Sequence, residues 1–324
     1  MGVIFSVFAS YDGDWYHYIP IVKSNYIQND AQTHIEGIHV WIIKYLSFGS
    51  YIWWRLIIWG TSYWLIWLSL KRLNHNTLLT WTCVMAVCLI QMCISRATLG
   101  IALLFYGFVC VIQPKIRIWS VIKGLLLMSL SLIFHKSMII YIVASLFALI
   151  HYKNFFLALF ICFLPILIKI FTNILLLYVM ADEVSHAAEG YLSDETKEKG
   201  IGANLYSYTY YCIMVFVFCL FFIGRKKLCP CNSSYSIKLW QNNYNIYYIY
   251  IVVWGALTAN QIGNNDISYR ILWGIYLPSA ILISYMIRHN YKTSFNIILV
   301  LGLFLTGFYR LFYAYYLQSI GTGI

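Results

Sequence analysis

The sequence predicts an all-α polytopic membrane protein, and three observations predict it. Of the 324 residues, 61% are apolar and only 10% are charged. The apolar residues gather in runs close to the length of about 20 residues that crosses hydrocarbon. The polar segments between the runs alternate in character, one set carrying lysine and arginine, the other carrying every Asp and Glu.

Taken in order, the runs cover residues 51–70, 77–94, 97–112, 118–134, 138–150, 155–173, 204–224, 246–262, 269–287 and 295–317. With the N-terminal segment this predicts about 10–11 transmembrane helices, several of them short. The loops holding Lys71, Arg72, Lys115, Arg117, Lys153, Arg225, Lys226, Lys227, Lys238, Arg288 and Lys292 are expected to be cytoplasmic by the positive-inside rule. The other set then faces outward and contains Asp12, Asp14, Asp30, Glu36, Asp182, Glu183, Glu189, Asp194, Glu195, Glu198 and Asp266.

Residues 1–10 are apolar but cover only half a span, with no basic start and no cleavage site. Two readings are open: the outer half of a truncated first helix, or a short segment lying in the interface. Residues 11–50 are polar and aromatic apart from an apolar patch at 38–46, too short to cross, so a re-entrant or interfacial helix is expected near 35–48. The longest outer loop, 181–203, carries six acids together with Lys197 and Lys199 and is long enough to cover an outward-opening site. No repeat and no low-complexity linker divides the chain, so residues 1–324 form a single integral membrane domain.

The formal charge of +11 does not indicate nucleic acid, because the basic clusters are short and flank apolar runs, where they set orientation and meet anionic headgroups. Cysteine likewise indicates no disulfide framework. Cys83, Cys88, Cys93 and Cys219 lie inside apolar runs, and Cys229 and Cys231 fall in a loop expected to be cytoplasmic.

A charge near hydrocarbon costs on the order of 3 kcal/mol by insertion scales, so such residues usually face a cavity or a partner. Arg96 sits between two runs with almost no loop around it, His135-Lys136-Ser137 joins two more, and Arg270 opens a run just after Asn264, Asn265 and Asp266. Ordinary interface anchoring would explain any one of them. All three, however, fall on the outward face, where every carboxylate and a cluster of Tyr and Trp also lie. Two arginines there would suit an anionic pyrophosphate, whose oxygens match the planar guanidinium fork.

Asp12-Gly13-Asp14-Trp15-Tyr16-His17-Tyr18, Glu36-Gly37 followed by an apolar patch, Arg96 ahead of Ala97 and Ala102, and the His135-Lys136-Ser137 turn together resemble the EpsG family of exopolysaccharide polymerases. The resemblance runs from Asp12 to about Arg270, and the family is similar in role to Wzy-type polymerases of O-antigen, capsule and lipopolysaccharide. Its members usually carry a complete helix before the Asp-rich element, where this chain has only residues 1–10.

The resemblance implies a multi-pass glycosyltransferase of the bacterial inner membrane that works at the outer leaflet and polymerises undecaprenyl-pyrophosphate-linked oligosaccharide repeat units. It implies membrane lipid, a chain-length regulator and a flippase as partners, and no cofactor. The basic loops agree, having no Gly-rich phosphate loop and no acidic pair to hold a metal for a nucleoside diphosphate.

Such chemistry needs a base for the acceptor hydroxyl and cations for the departing pyrophosphate. Asp14 or Glu36 is expected as the base, because carboxylates on the outer face can meet an extracytoplasmic sugar; His135 is the rival, with an ordinary pKa near working pH. Arg96 and Arg270 are expected to bind the pyrophosphate, with Lys136 and His135 as further donors. Asp12 with Asp14 could instead form a solvated turn around Gly13 or hold a divalent cation, though no metal is expected. Trp15, Tyr16 and Tyr18 can stack on a sugar face beside Asp14, while most of the abundant tyrosines suit the membrane-interface belt.

Other functions remain in view. A lipid-linked oligosaccharide flippase or another transporter would place ionisable residues at the midplane and break its helices with Gly or Pro. Lys169, Arg310, Pro165 and Pro278 are the features in its favour. A glycan ligase is a second enzyme reading. A membrane O-acyltransferase is a third, but His151 and His289 lie in basic loops rather than inside a pore.

Overall fold

The structure, a computed structural model, describes residues 37–73, 76–88, 95–112, 118–136, 138–139, 141–142, 145 and 265–321. Every regular element among them is helical. The short apolar patch folds as α1, Gly37–Trp41, continued by a π-helical turn, Ile42–Leu46. Phe48 and Gly49 then both adopt positive φ, 51° and 71°, and the amide of Gly49 returns to the carbonyl of Ile43 at 2.9 Å. Glycine is the residue that takes this conformation without a Cβ clash, so the sequence Phe48-Gly49 reverses the chain where α1 runs out of apolar residues.

Ser50 accepts from the amide of Trp53 at 3.4 Å and opens α2, Tyr51–Arg72, which ends on the basic pair Lys71 and Arg72. Thr77 accepts from the amide of Thr80 at 3.2 Å and opens α3, Leu78–Val87. Such caps satisfy N–H groups that the first turn leaves without helical acceptors. Next come α4, Ser95–Val111, and α5, Ile118–Phe134. The C-terminal pair is α6, Asn265–Arg288, and α7, Thr293–Gly321. Their reversal uses positive φ at Asn290 and Lys292, and the Asn296 side chain ties it by donating to the carbonyls of Tyr291 and Lys292 at 2.9 and 3.1 Å.

Five of the expected spans meet helices with similar bounds, and residues 118–134 coincide with α5. Of the run at 77–94, α3 covers residues 78–87 with Cys88 as its C-cap, and residues 89–94 lie outside the described residues. Of the run at 138–150, residues 138–139, 141–142 and 145 are helical. The runs at 155–173, 204–224 and 246–262, residues 1–10 and the loop 181–203 lie outside the described residues.

Among the described residues no helix is long and apolar enough to cross a membrane. The 22-residue α2 is long enough but carries Trp53, Trp54, Trp59, Trp64 and Trp67 with Arg55, residues that suit an interface or a protein interior better than acyl chains.

The core forms where α2 and α5 pack on α4, and where α6 and α7 pack on α3. Gly107 of α4 and Gly124 of α5 let their backbones touch: a Cβ on either would sit 2.6 Å from the other's carbonyl oxygen. Small residues at such a crossing replace side-chain interdigitation with backbone contact. Buried hydroxyls are satisfied within their own helices, Ser62 donating to Ile58, Ser69 to Leu65 and Ser145 to Tyr141, each four residues back. Cys83, Cys88 and Cys110 are free, buried thiols.

Candidate functional site

The antiparallel helices sort their polar residues to two ends. At one end Arg72 reaches Ser120, and Thr80 meets Ser284 at 3.2 Å, which brings together the end of α2, the start of α3, the start of α5 and the end of α6. The other end collects α1, the start of α2, the end of α5 and the residues that follow it. The expected up-and-down order of residues 51–134 is thus the observed one.

At this second end His39 is fully buried. Its Nε2 lies 2.9 Å from the carbonyl oxygen of Phe134, and a carbonyl only accepts, so Nε2 carries the proton. The imidazole packs edge-on against Trp54 and Phe134, with ring centres 5.7 and 5.8 Å away. Trp54 and Arg55 are also fully buried, one turn into α2. A charge so placed demands interaction partners, since desolvation alone would exclude it.

His135 and Lys136 follow Phe134 directly. The amide of His135 bonds to Ser131 at 3.1 Å, and its carbonyl accepts from Met138 at 3.0 Å. The carbonyl of Lys136 accepts from Ile139 at 3.3 Å. The turn is therefore tight; His135 is half-buried and Lys136 exposed.

Two glycines bring the other cationic segments to this turn. A Cβ on Gly100 would meet Met138 Cγ at 3.0 Å and the Ser131 carbonyl at 3.3 Å, so α4 passes against the residues flanking the turn. A Cβ on Gly274 would meet the ring of Tyr141, so α6 packs against the same following segment. Arg96 and Arg270 each stand one turn before these glycines, Arg96 with its backbone in the first turn of α4 and Arg270 with its backbone in the second turn of α6. The structure thus gathers the segments bearing Arg96, His135 with Lys136, and Arg270 at one end of the bundle. The N–H groups at the starts of α4 and α6 add partial positive charge there.

Asp12, Asp14, Trp15, Tyr18 and Glu36 lie outside the described residues, as do the side chains of Arg96 and Arg270. Glu36 directly precedes α1 in the sequence, three residues from His39. Among the described residues no group of three His, Cys, Asp or Glu side chains could hold a metal.

Two residues at this end escaped the sequence reading. Arg55 was visible in principle, being a charge inside an apolar run, the same signal that marked Arg96. His39 looked like one polar residue in a short apolar patch. Its role depends on a contact 95 residues away that no local pattern encodes.

Neither a curated protein nor a solved structure matches the chain. A family model does, over residues 1–322, nearly the whole chain: the chain belongs to the EpsG family, which is one of membrane polysaccharide polymerases.

Proposed function

We propose that this protein joins undecaprenyl-pyrophosphate-linked oligosaccharide repeat units into a surface polysaccharide at the outer face of the bacterial inner membrane. The observation that carries the reading is the gathering of three cationic segments at one end of the bundle, opposite the end where Lys71, Arg72 and Arg288 lie. By the positive-inside rule the lysine- and arginine-rich end is cytoplasmic, so the gathered segments face outward.

In the reaction an acceptor sugar hydroxyl attacks the anomeric carbon of the donor. Its proton passes to a base, and the bond to the polyprenyl pyrophosphate breaks, leaving two negative charges or more on the departing group. Asp14 or Glu36 serves as the base, with His135 as the rival. Arg96 and Arg270 hold the pyrophosphate, and Lys136 adds a mobile cation at the exposed turn. Asp12, Trp15 and Tyr18 line the acceptor sugar's path. The donor is already activated by its pyrophosphate, so no nucleotide or cofactor enters. A flippase would deliver the donor, and a chain-length regulator would act on the product.

A flippase reading of this chain itself would draw on broken helices. Of the two prolines in its favour, Pro165 lies outside the described residues, and at Pro278 α6 runs on without a break from Asn265 to Arg288.

The test is Arg96→Ala and Arg270→Ala in cells, with surface glycan sized and lipid-linked intermediates assayed. Losing one preorganised donor to a leaving oxyanion costs roughly 10²–10³ in rate, so each variant should lose polymer while protein level stays normal. Single lipid-linked repeats should accumulate at the outer leaflet, whereas loss of a flippase traps them inside. Normal chain lengths in both variants would overturn the pyrophosphate site.

A further inference from the structure

Cations and an apolar groove also meet at the opposite end of the bundle. Arg72 closes α2 with its guanidinium carbon 5.4 Å from the ring centre of Tyr106 in α4. Lys123 of α5 brings its ammonium 5.3 Å from the same centre and 3.5 Å from the Tyr106 hydroxyl. Arg72 Nη1 donates to Ser120 Oγ at 3.4 Å, and Ser120 Oγ donates in turn to the carbonyl of Cys110 at 2.9 Å. One phenol ring thus holds two like charges, each attracted to its electron-rich face. Lys71 is adjacent, its ammonium 5.1 Å from the ring centre of Trp67.

Nothing nearby in the sequence balances this charge, because no Asp or Glu occurs between Gly37 and Ala181. Beside Lys123 a groove of about 510 Å³ runs along α5, lined by Trp119, Ile122, Leu126, Leu127 and Leu130. Their spacing puts them on one helix face. From 119 to 130 the face extends about 16 Å at 1.5 Å per residue, a length that accommodates most of an acyl chain. Trp119 is 77% exposed and Leu126 65% exposed, so the face is open to its surroundings.

We propose that this end binds one anionic glycerophospholipid of the leaflet on the basic side, its phosphate held by Arg72 and Lys123 and one acyl chain lying along Ile122, Leu126 and Leu130. The charge complementarity selects the headgroup, and the continuity of the groove with Lys123 selects a lipid over a soluble phosphate. Arginine supplies a planar fork to the phosphate and lysine a compact point charge. The site sits at the opposite end from the His135 turn, so it does not rest on the polymerase chemistry.

The full chain, purified in neutral detergent, would be offered phosphatidylglycerol, phosphatidylcholine and glycerol phosphate and followed by native mass spectrometry. The expected result is one retained phosphatidylglycerol, favoured at least tenfold over phosphatidylcholine, with glycerol phosphate not retained. Lys123→Gln should lower that preference, Lys123→Gln with Arg72→Gln should remove it, and Lys123→Arg should keep it. Leu126→Asn should weaken both lipids alike. Lys123 is exposed, so its single variant carries the test even where the double variant is poorly folded. Equal retention of the two lipids, retention of glycerol phosphate as tight as that of the lipid, a preference that survives Lys123→Gln unchanged, or a lipid-free dimer covering the groove would overturn the proposal.

Discussion

His39 donates from Nε2 to the carbonyl oxygen of Phe134 at 2.9 Å, joining α1 to the last residue of α5. The last carbonyls of a helix have no helical donor, and a buried side-chain donor is one way to satisfy them. Here the satisfied carbonyl immediately precedes His135 and Lys136, so α1 anchors the turn that presents them.

Replacing that donor should therefore loosen the turn. His39→Leu leaves a half-buried carbonyl without its partner, a loss of about 1–3 kcal/mol. His39→Gln places an amide N–H near the position of Nε2 and should recover most of it. Hydrogen exchange at residues 131–136 checks both variants: faster exchange is expected for Leu and near-normal exchange for Gln. Equal protection in all three proteins would remove the anchor.

The contact of Gly107 with Gly124 makes a second prediction. Each Cβ would meet the opposing carbonyl oxygen at 2.6 Å, and Gly124 would also meet Val111 Cγ2 at 2.6 Å. Backbone and a β-branched side chain give way poorly, so α4 and α5 must separate. Gly124→Ala and Gly107→Ala should each cost about 1–3 kcal/mol, read as a lower melting temperature of the detergent-purified protein. Gly60→Ala has nothing within 4 Å of its Cβ and serves as the control, with a melting temperature unchanged or slightly raised by the better helix propensity of Ala.

The helix bounds were largely legible in the sequence, and the buried polar contacts were not. Residues 118–134 stand out because Arg117 and His135 bracket an apolar run, and the structure places α5 on those residues. The patch at 38–46 read as a short helix for the same reason: too few apolar residues to cross. Arg55 was masked by its surroundings, one charge among apolar and aromatic neighbours leaving the run intact. The approach of Gly100 to Met138 and of Gly274 to Tyr141 was illegible because a glycine's sequence context does not say what packs against it. Those two contacts are what gather the candidate residues, so the sequence supplied the residues and only the tertiary packing supplied their meeting place.

At the opposite end His289 follows α6, its ring centre 4.3 Å from that of Tyr285. Partial burial first, and the neighbouring Arg288 second, hold its pKa below the ordinary 6.5. The sign follows from the depressed value. As pH falls below 6.5 the unfolded chain takes up the proton before the folded one, so folding loses stability there; above 6.5 both states are neutral at this ring and the effect vanishes. The effect should be small because the ring is largely exposed. A histidine-resolved NMR titration should show His289 titrating at lower pH than a free histidine. His289→Asn should flatten the acid side of the melting-temperature profile, and a midpoint at or above 6.5 would contradict the assignment.

Gly100 and Gly274 separate packing that yields from packing that does not. A Cβ on Gly100 meets chiefly the Cγ and Sδ of Met138, at 3.0 and 3.1 Å. Methionine is unbranched and adaptable, so Gly100→Ala should be tolerated with a shift in melting temperature of a few degrees at most. A Cβ on Gly274 meets the edge of the Tyr141 ring, which is buried and rigid. Gly274→Ala must displace the start of α6 and with it the backbone of Arg270. Polymer length should therefore fall sharply in Gly274→Ala and stay near normal in Gly100→Ala at equal protein level. Tyr141→Leu, which shortens the obstructing side chain, should restore part of the loss when combined with Gly274→Ala. Failure of that rescue, with the double variant folded, would mean that the placement of Arg270 does not depend on this contact.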